Sequence, residues 1–569
     1  MLARNSDFFD ERKAARFSAA ASAIATLPPT RPLRSNFLIR QATMPNRDLD
    51  YPTAGLARRG MSDKRNGSIH RLRLKSAVDM MPSVLTIATV FYLYMGLSDG
   101  QLFNEDYAVY LQQAWNIANH VPMADVGVIQ YFDPSRPLLM NGPLTYPSLL
   151  PLIYAYPVSV FGFNLQILKT IQIGLLLSGL LLFCYAMKRW GFTIVEVLSS
   201  ILVFTLSYEV RRSVNSIGSD LPFILFLFVA VLSIDSFVKS TGTRRYGWGI
   251  LSGAAIFLAV SLRTVGVALL PTLLLADLLG HRRLNVIRLT IPMITLTALW
   301  IGQRALGLSG GNYEFITNIR FFTPAENIQQ FYWAFAQPST NSASPRVVIG
   351  IFLILVAMAT IGLLYEAARG MVIAIFIVAY TVLLLVLPNF GAGARYLVPH
   401  LLVLGAFAAR GATLISRMAG AGMRTRQACV WGTAVLGLMW CILMPSPLPS
   451  GHWNFGVAAD PAREMFAFIR EQTPAGALLA ASKPRSFHLF TRRTTIRPPA
   501  VGTMAEMMAW LKDHRVSYVV VKYSLPQWNY DLTDCPEMPL CRTDHHTPGI
   551  EELFRNSDFV LFRLPSNNA

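Results

Sequence analysis

The chain is short of charge. Of its 569 residues only 14% are Asp, Glu, Lys or Arg, while 53% are hydrophobic; soluble domains carry about 25% charged residues. That deficit excludes an ordinary soluble protein and a disordered one. Five Cys in this length exclude a disulfide scaffold. The 38 Gly and 34 Pro follow no period, which excludes collagen. There is no Gly-x-x-x-x-Gly-Lys-Ser/Thr loop and no Gly-x-Gly-x-x-Gly, so a soluble nucleotide donor and ATP-driven transport are unsupported. Metal-ligand spacing of His or Cys is absent, and His120 and His545-His546 read as solvated. No internal repeat of the transporter kind is visible.

What the chain does have is long apolar runs. A helix needs about 20 mostly apolar residues to cross a bilayer. Runs near that length lie at 80–97, 168–187, 192–208, 221–238, 246–262, 264–280, 289–303, 347–365, 371–390, 396–416 and 427–446. The stretch 246–279 would measure about 51 Å as one helix, so Arg263 is read as a turn between two. A further run, 146–161, carries Pro147, Pro151 and Pro157, and proline breaks helix interiors.

Charge settles whether 146–161 crosses. If it does not, the connections on one side hold 13 Lys/Arg in 40 residues and those on the other 9 in 133. The basic side is cytoplasmic. The reading is an all-α polytopic membrane protein of about eleven transmembrane helices, multi-pass in a bacterial inner membrane, with the N-terminus inside and the C-terminus outside. The segment 146–161 then lies along the outer surface.

Three parts follow. Residues 1–78 hold 15 Lys/Arg against 6 Asp/Glu, half of the net +18; they form a basic, disordered cytoplasmic tail without a signal-peptide core. Met61 would give a shorter conventional start. Residues 79–446 form the membrane part, with outer loops 98–169 and 304–346. Residues 447–569 form a small extracytoplasmic α/β domain, with helices expected at 460–471 and 503–513 and strands at 477–481, 517–521 and 558–563. Cys184, Cys429 and Cys441 lie in apolar runs as inert thiols. A Cys535–Cys541 disulfide fits only an outside C-terminus.

The outer segments carry the chemistry. The first loop opens Asn104-Glu105-Asp106-Tyr107, followed by Tyr110, Gln113, Ala114 and Ile117, a spacing that suits a surface helix. Glu105 or Asp106 is either a helix N-terminal residue or a general base. Asp220, in Ser219-Asp220-Leu221-Pro222, has the same two readings. Arg263 and Arg395 stand at outer helix ends, to snorkel or to serve function, and Arg211 and Arg212 add cations beside Asp220. Acids and cations gathered on one membrane face suit a reaction between a lipid-borne phosphate and a hydroxyl.

These motifs resemble the C-type glycosyltransferase superfamily, which includes protein O-mannosyltransferases and lipid A aminoarabinose transferases. The matching residues are Glu105-Asp106-Tyr107 with Tyr110 and Ala114, then Tyr146-Pro147 leading to Phe161-Gly162-Phe163-Asn164. Ser219-Asp220, Leu262-Arg263 and Arg395-Tyr396-Leu397-x-Pro399 complete them. The resemblance covers about residues 80–415. It implies a polyprenyl-phosphate sugar donor, inversion at the anomeric carbon, and Asp106 as base with Glu105 as competitor. Arg263, Arg395, Arg211 and Arg212 would bind the donor phosphate, with Asp220, Tyr107, Tyr146 and Tyr396 in support. Some members need a divalent cation and others do not, so the resemblance fixes no cofactor; an Asp106/Asp220 pair would permit a divalent cation. Pro147-Ser148 departs from the double proline of many members, which leaves the substrate open.

The function expected is transfer of a sugar to an envelope glycan, lipid or protein, with no role for nucleic acid. The competing reading is a transporter or flippase of a lipid-linked sugar. It requires polar residues in mid-membrane, yet the spans at 80–97, 170–187 and 347–365 carry no charge. The orientation is tested by cysteine labelling with reagents confined to the outside of intact cells. Positions in 310–340 and 540–550 are expected to react and positions 420–425 to stay protected; labelling at 420–425 would invert the topology.

Overall fold

The computed structural model describes residues 80–103, 105–129, 146–282, 285–308, 324–329, 344–386, 393–444, 456–499, 503–522 and 550–565. The expectations for the 1–78 tail, most of loop 304–346, Cys535, Cys541 and the Glu105 side chain lie outside these residues. Everything below concerns the unit His70–Ala569.

Every apolar run becomes a helix. In chain order these are α1 (Met80–Met95), α2 (Glu105–Ala118), α3 (Leu149–Phe161), α4 (Leu165–Arg189), α5 (Ile194–Leu206), α6 (Tyr208–Val214), α7 (Asp220–Lys239) and α8 (Arg244–Leu262). There follow α9 (Leu269–His281), α10 (Val286–Ala305), α11 (Pro345–Ala368), α12 (Val372–Val386), α13 (Val398–Met418) and α14 (Met423–Leu443). Single-turn 3-10 segments at Thr264–Ala268 and Gly393–Leu397 lead into α9 and α13. Eight of the helices, counting those lead-ins, are long and apolar enough to cross a membrane. The expected runs 80–97, 192–208 and 371–390 give shorter helices. For 192–208 the reason is local: Ser207 adopts an extended backbone and its hydroxyl accepts from Val210 N, which ends α5 and starts α6.

The proline-bearing segment folds as α3, with Gly162 closing it at φ 61°. Its 13 residues span about 20 Å, well short of the roughly 30 Å hydrocarbon core. It buries Leu150, Pro151, Tyr154 and Val158 and packs along α2. Leu152, Tyr156 and Val160, spaced four apart, remain exposed.

Two helices carry the bundle core. The α7 helix is largely buried among α4, α8 and α9, and α13 among α5, α11 and α14. The second group packs closely enough to need glycine. A Cβ on Gly411 would stand 1.9 Å from Met358 O, and one on Gly362 2.2 Å from Phe407 O. Backbones of α11 and α13 therefore touch, as small residues allow between apolar helices.

The C-terminal segment forms α15 (Asp460–Gln472), β2 (Leu478–Ala480), α16 (Pro484–Thr491), β3 (Thr494–Ile496), α17 (Met504–Asp513), β4 (Tyr518–Lys522), β5 (Glu551–Arg555) and β6 (Phe559–Arg563). The six-stranded sheet takes its edge strand, β1 (Val128–Ile129), from the first loop; its order is β1-β3-β2-β4-β6-β5. β1, β3, β2 and β4 run parallel, while β6 and β5 are antiparallel. β4 is buried at every residue, as a strand covered on both faces must be. Val519 and Val521 face Met507 and Leu511 of α17. Phe103, from the first loop, sits among Phe466, Phe487 and Phe559 at ring-centroid distances of 6.1, 6.1 and 5.8 Å. A further link joins Val457 N to Gln101 O at 2.9 Å. First loop and C-terminal sheet thus lie at the same end of the bundle, as an odd number of intervening crossings would not allow.

The α11–α13 contact predicts a stability difference. Gly411→Leu forces backbones apart and should cost about 1–3 kcal/mol or more, seen as a lowered unfolding midpoint in detergent. Gly174→Ala, with nothing within 4 Å of the new Cβ, should hold or slightly raise the midpoint, since Ala favours a helix interior over Gly.

Candidate active site

The N-terminal ends of α2 and α7, the C-terminal end of α8 and the turn before α13 meet beneath the first loop. Each brings a charged or phenolic residue because each interrupts or starts a helix there. Asp106 lies in the first turn of α2, and Asp220 is the first residue of α7. Such positions favour carboxylates through the helix dipole. Arg263 has an extended backbone, φ −153°, ψ 123°, which ends α8. Arg395 lies in the 3-10 turn leading to α13.

The charges pair across long sequence separations. The Arg395 guanidinium donates to Asp106 Oδ2 and that of Arg263 to Asp220 Oδ1. Tyr146 Oη donates to Asp106 Oδ1 at 2.5 Å. Tyr146 is itself held by a two-point clamp. Its backbone N–H donates to Gln113 Oε1 at 3.2 Å and its carbonyl accepts from Gln113 Nε2 at 3.3 Å. The Tyr110 ring lies 4.9 Å from that of Tyr146, and its hydroxyl donates to Ser219 Oγ at 3.1 Å. Tyr396 stands between the arginines, its ring centroid 4.4 Å from the Arg263 guanidinium and 5.7 Å from that of Arg395, in reach of cation–π attraction. Tyr380 Oη donates to the Tyr396 carbonyl at 2.9 Å. The result is a closed circuit: Asp106, Arg395, Tyr396, Arg263, Asp220, Ser219, Tyr110, Tyr146 and back to Asp106.

Neither acid acts as a simple capping residue, and Arg263, at 7% exposure, does not snorkel. Burial alone would push the Asp106 carboxyl up. The Arg395 charge, the Tyr146 hydrogen bond, the Arg395 hydrogen bond and the Arg485 charge outweigh it and hold the group below its ordinary value. Asp106 is therefore ionised at neutral pH. Burial and then the Asp106 charge push both phenols, Tyr110 and Tyr146, upward, so both remain protonated donors.

Other expected residues fall elsewhere. Tyr107 is fully buried and donates to Ser486 Oγ of α16 at 3.1 Å, away from the circuit. Arg212 lies beside Glu209 and Arg211 toward α14. Three residues were not singled out from sequence. Arg485, 3% exposed on α16, places its charge beside Asp106 and Tyr146. Glu209 is raised by its burial, against the Arg212 and Arg395 charges. Lys169, fully buried, donates to Ser98 O at 2.9 Å and to Gly100 O, pinning the start of the first loop. A basic residue at a helix start, in Lys483-Pro484-Arg485-Ser486, was the only signal for Arg485.

Asp106 and Asp220 are the two carboxylates of the circuit. Each carboxylate already has an arginine counter-ion, and among the described residues no group of three or more His, Cys, Asp or Glu could hold a metal.

No family model matches the chain, and no curated protein does. Solved structures do. The arabinofuranosyltransferase AftD from Mycobacteria is similar over 86% of this chain, at 13% identity and a TM-score of 0.50. The chain shares the fold of that structure. The chain spans 40% of AftD. ArnT from Cupriavidus metallidurans bound to undecaprenyl phosphate is similar over 84% of this chain and 97% of its own, at 15% identity and a TM-score of 0.46. The archaeal oligosaccharyltransferase AglB from Archaeoglobus fulgidus, in complex with an inhibitory peptide and a dolichol-phosphate, is similar over 79% and 70%, at 13% identity and a TM-score of 0.45.

The buried pair gives a thermodynamic prediction. Arg263→Ala leaves Asp220 charged and unpaired and should cost about 3–5 kcal/mol. Asp220→Ala added to it should restore part of that loss. Unfolding midpoints of both single variants and the double variant in detergent test the coupling; strictly additive effects would show that the two side chains act independently.

Proposed function

We propose that this protein transfers a sugar from a polyprenyl-phosphate donor to a hydroxyl of an envelope glycan, lipid or protein at the outer face of the membrane. One observation carries the reading: an ionised carboxylate, Asp106, lies in the same closed circuit as two arginines from unrelated helix ends. The fold shared with AftD and the motif order in the sequence support it.

The acceptor oxygen attacks the anomeric carbon and the bond from that carbon to the phosphate oxygen breaks, inverting the centre. The acceptor's proton passes to Asp106. The polyprenyl phosphate leaves with the bonding electrons and meets Arg263 and Arg395. Fixed cations are most effective where charge develops in a dry site. Arg395 has donors to spare, since its Nε is buried without a partner among the described residues, and a buried polar group in that state calls for a ligand or water.

The arginines also set the base. While Arg395 holds Asp106, the carboxylate is a weak proton acceptor. A donor phosphate draws Arg395 toward itself, and Asp106, partly buried, then becomes more basic. Tyr146 keeps the carboxylate in place through that change. Arg485 adds a further positive charge within reach of the carboxylate.

Two outcomes test this. Asp106→Asn keeps size but cannot take a proton, and should lower kcat about 10²–10⁴-fold in a purified donor-to-acceptor assay, with expression unchanged. Retained activity would remove Asp106 as base; if Glu105→Gln were then inactive, Glu105 would hold that role. The second test is a pH profile. The acid limb of kcat/KM reports the free enzyme, so it should lie below the ordinary carboxylate range. Arg395→Gln removes the largest lowering influence on Asp106 and should move that limb to higher pH, besides weakening donor use. A limb that stays in place would detach Asp106 from the profile.

A further inference from the structure

A cavity of about 410 Å³ opens between α15 and the α3–α4 connection, within the roughly 300–1,000 Å³ of small-molecule sites. Its wall on α15 is one helix face: Arg463, Phe466 and Arg470 at spacings of three and four. Both arginines are exposed and have no carboxylate partner among the described residues. Phe466 stacks on Phe490 at 5.0 Å, and Phe163 meets Phe490 edge-on at 6.4 Å. The amides of Asn164 and Gln166 and the carboxylate of Asp99 complete the rim.

We propose that this cavity binds an acidic or phosphorylated sugar unit of the acceptor; the assignment rests on the transferase reading above. Phe163 and Phe490, both half-buried, leave apolar ring surface for the apolar face of a sugar ring, as aromatic rings do for other flat partners. Amide and carboxylate side chains can take its hydroxyls. Two guanidiniums without a carboxylate partner among the described residues select a phosphate or carboxylate on it. A glycerol or ethanolamine phospholipid headgroup shares the phosphate but has no ring for the aromatic wall.

The cavity also connects to the catalytic helix. Arg492 lies over the Phe163 ring at 5.1 Å and over the Trp115 ring at 4.3 Å, and donates to Gln112 Oε1 at 2.9 Å. Gln112 is six residues along α2 from Asp106, about 9 Å by helical rise.

Isothermal titration of the full chain in detergent, with glucose 6-phosphate, glucose and glycerol 3-phosphate as probes, decides the matter. Glucose 6-phosphate should bind at least tenfold more tightly than the other two. Arg463→Gln and Arg470→Gln, both on the exposed helix face, should each weaken it at least tenfold. Equal binding of glycerol 3-phosphate would make this a headgroup site and overturn the proposal. So would no binding by the wild type, or binding indifferent to both substitutions. Asp106→Asn should bind the probe like the wild type, so loss of transfer and loss of this site read separately. If that variant abolished binding, the probe would be occupying the catalytic circuit and the proposal would fail.

Discussion

A carboxylate removed from water must be neutralised where it sits, and that constraint organises this protein at both ends of its bundle. At the end away from the first loop, Asp235 is met by Lys239 at 2.7 Å and Arg189 at 3.2 Å. Arg410 lies between Glu196, at 3.0 Å, and Glu366, at 3.7 Å. These clusters tie neighbouring helices together. At the first-loop end the same chemistry joins partners far apart in sequence, Asp106 to Arg395 and Asp220 to Arg263. Removing one member of such a pair is far more damaging than replacing both, because the survivor is left charged in a poor solvent. The first loop, the α8–α9 break and the turn before α13 are thereby held to one relative placement.

That placement needs a second support, since a loop held by one ion pair would move. The C-terminal sheet supplies it. β1 of the first loop pairs with β3, and Phe103 is enclosed by Phe466, Phe487 and Phe559. Tyr107 and Ser486 join α2 to α16 directly. Burying large aromatic rings contributes more than any single polar contact here. α2 is therefore clamped from both sides: the charge circuit on its bundle face and the sheet on its outer face.

The sequence showed the helices because long apolar runs leave few alternatives, and it showed Asp106, Arg263 and Arg395 because each stands where such a run is interrupted. It could not show which acid meets which arginine, since Asp106 and Arg395 are 289 residues apart and no local pattern records the pairing. Tyr107 was read with Asp106, yet adjacent residues on a helix point about 100° apart, and Tyr107 faces the sheet instead. Tyr110, one turn on from Asp106, shares its face and joins the circuit. β1 and β3, of two and three residues, are too short for alternation to register. β4, fully apolar apart from its last residue, was legible. Arg485 was hidden because a cation after a proline at a helix start is common, and only the docking of α16 on α2 gives it a role.

The resting circuit has a consequence for the order of events in the proposed reaction. An acceptor arriving first would meet a carboxylate already occupied by a guanidinium and a phenol, and its proton would gain little by moving there. A donor phosphate arriving first competes with Asp106 for Arg395 and with Asp220 for Arg263. Hydrogen bonds to charged groups are each worth about 1.5–3 kcal/mol, and a phosphate offers more acceptor oxygens than the single carboxylate oxygen each arginine now contacts. The exchange therefore lies within the range that ligand binding can drive. Once made, it leaves Asp106 partly buried with Tyr146 as its remaining close donor, and desolvation then acts without Arg395 to oppose it. The base is poised only when the leaving group is in place, so a proton is accepted where a sugar is ready to be transferred rather than lost to water.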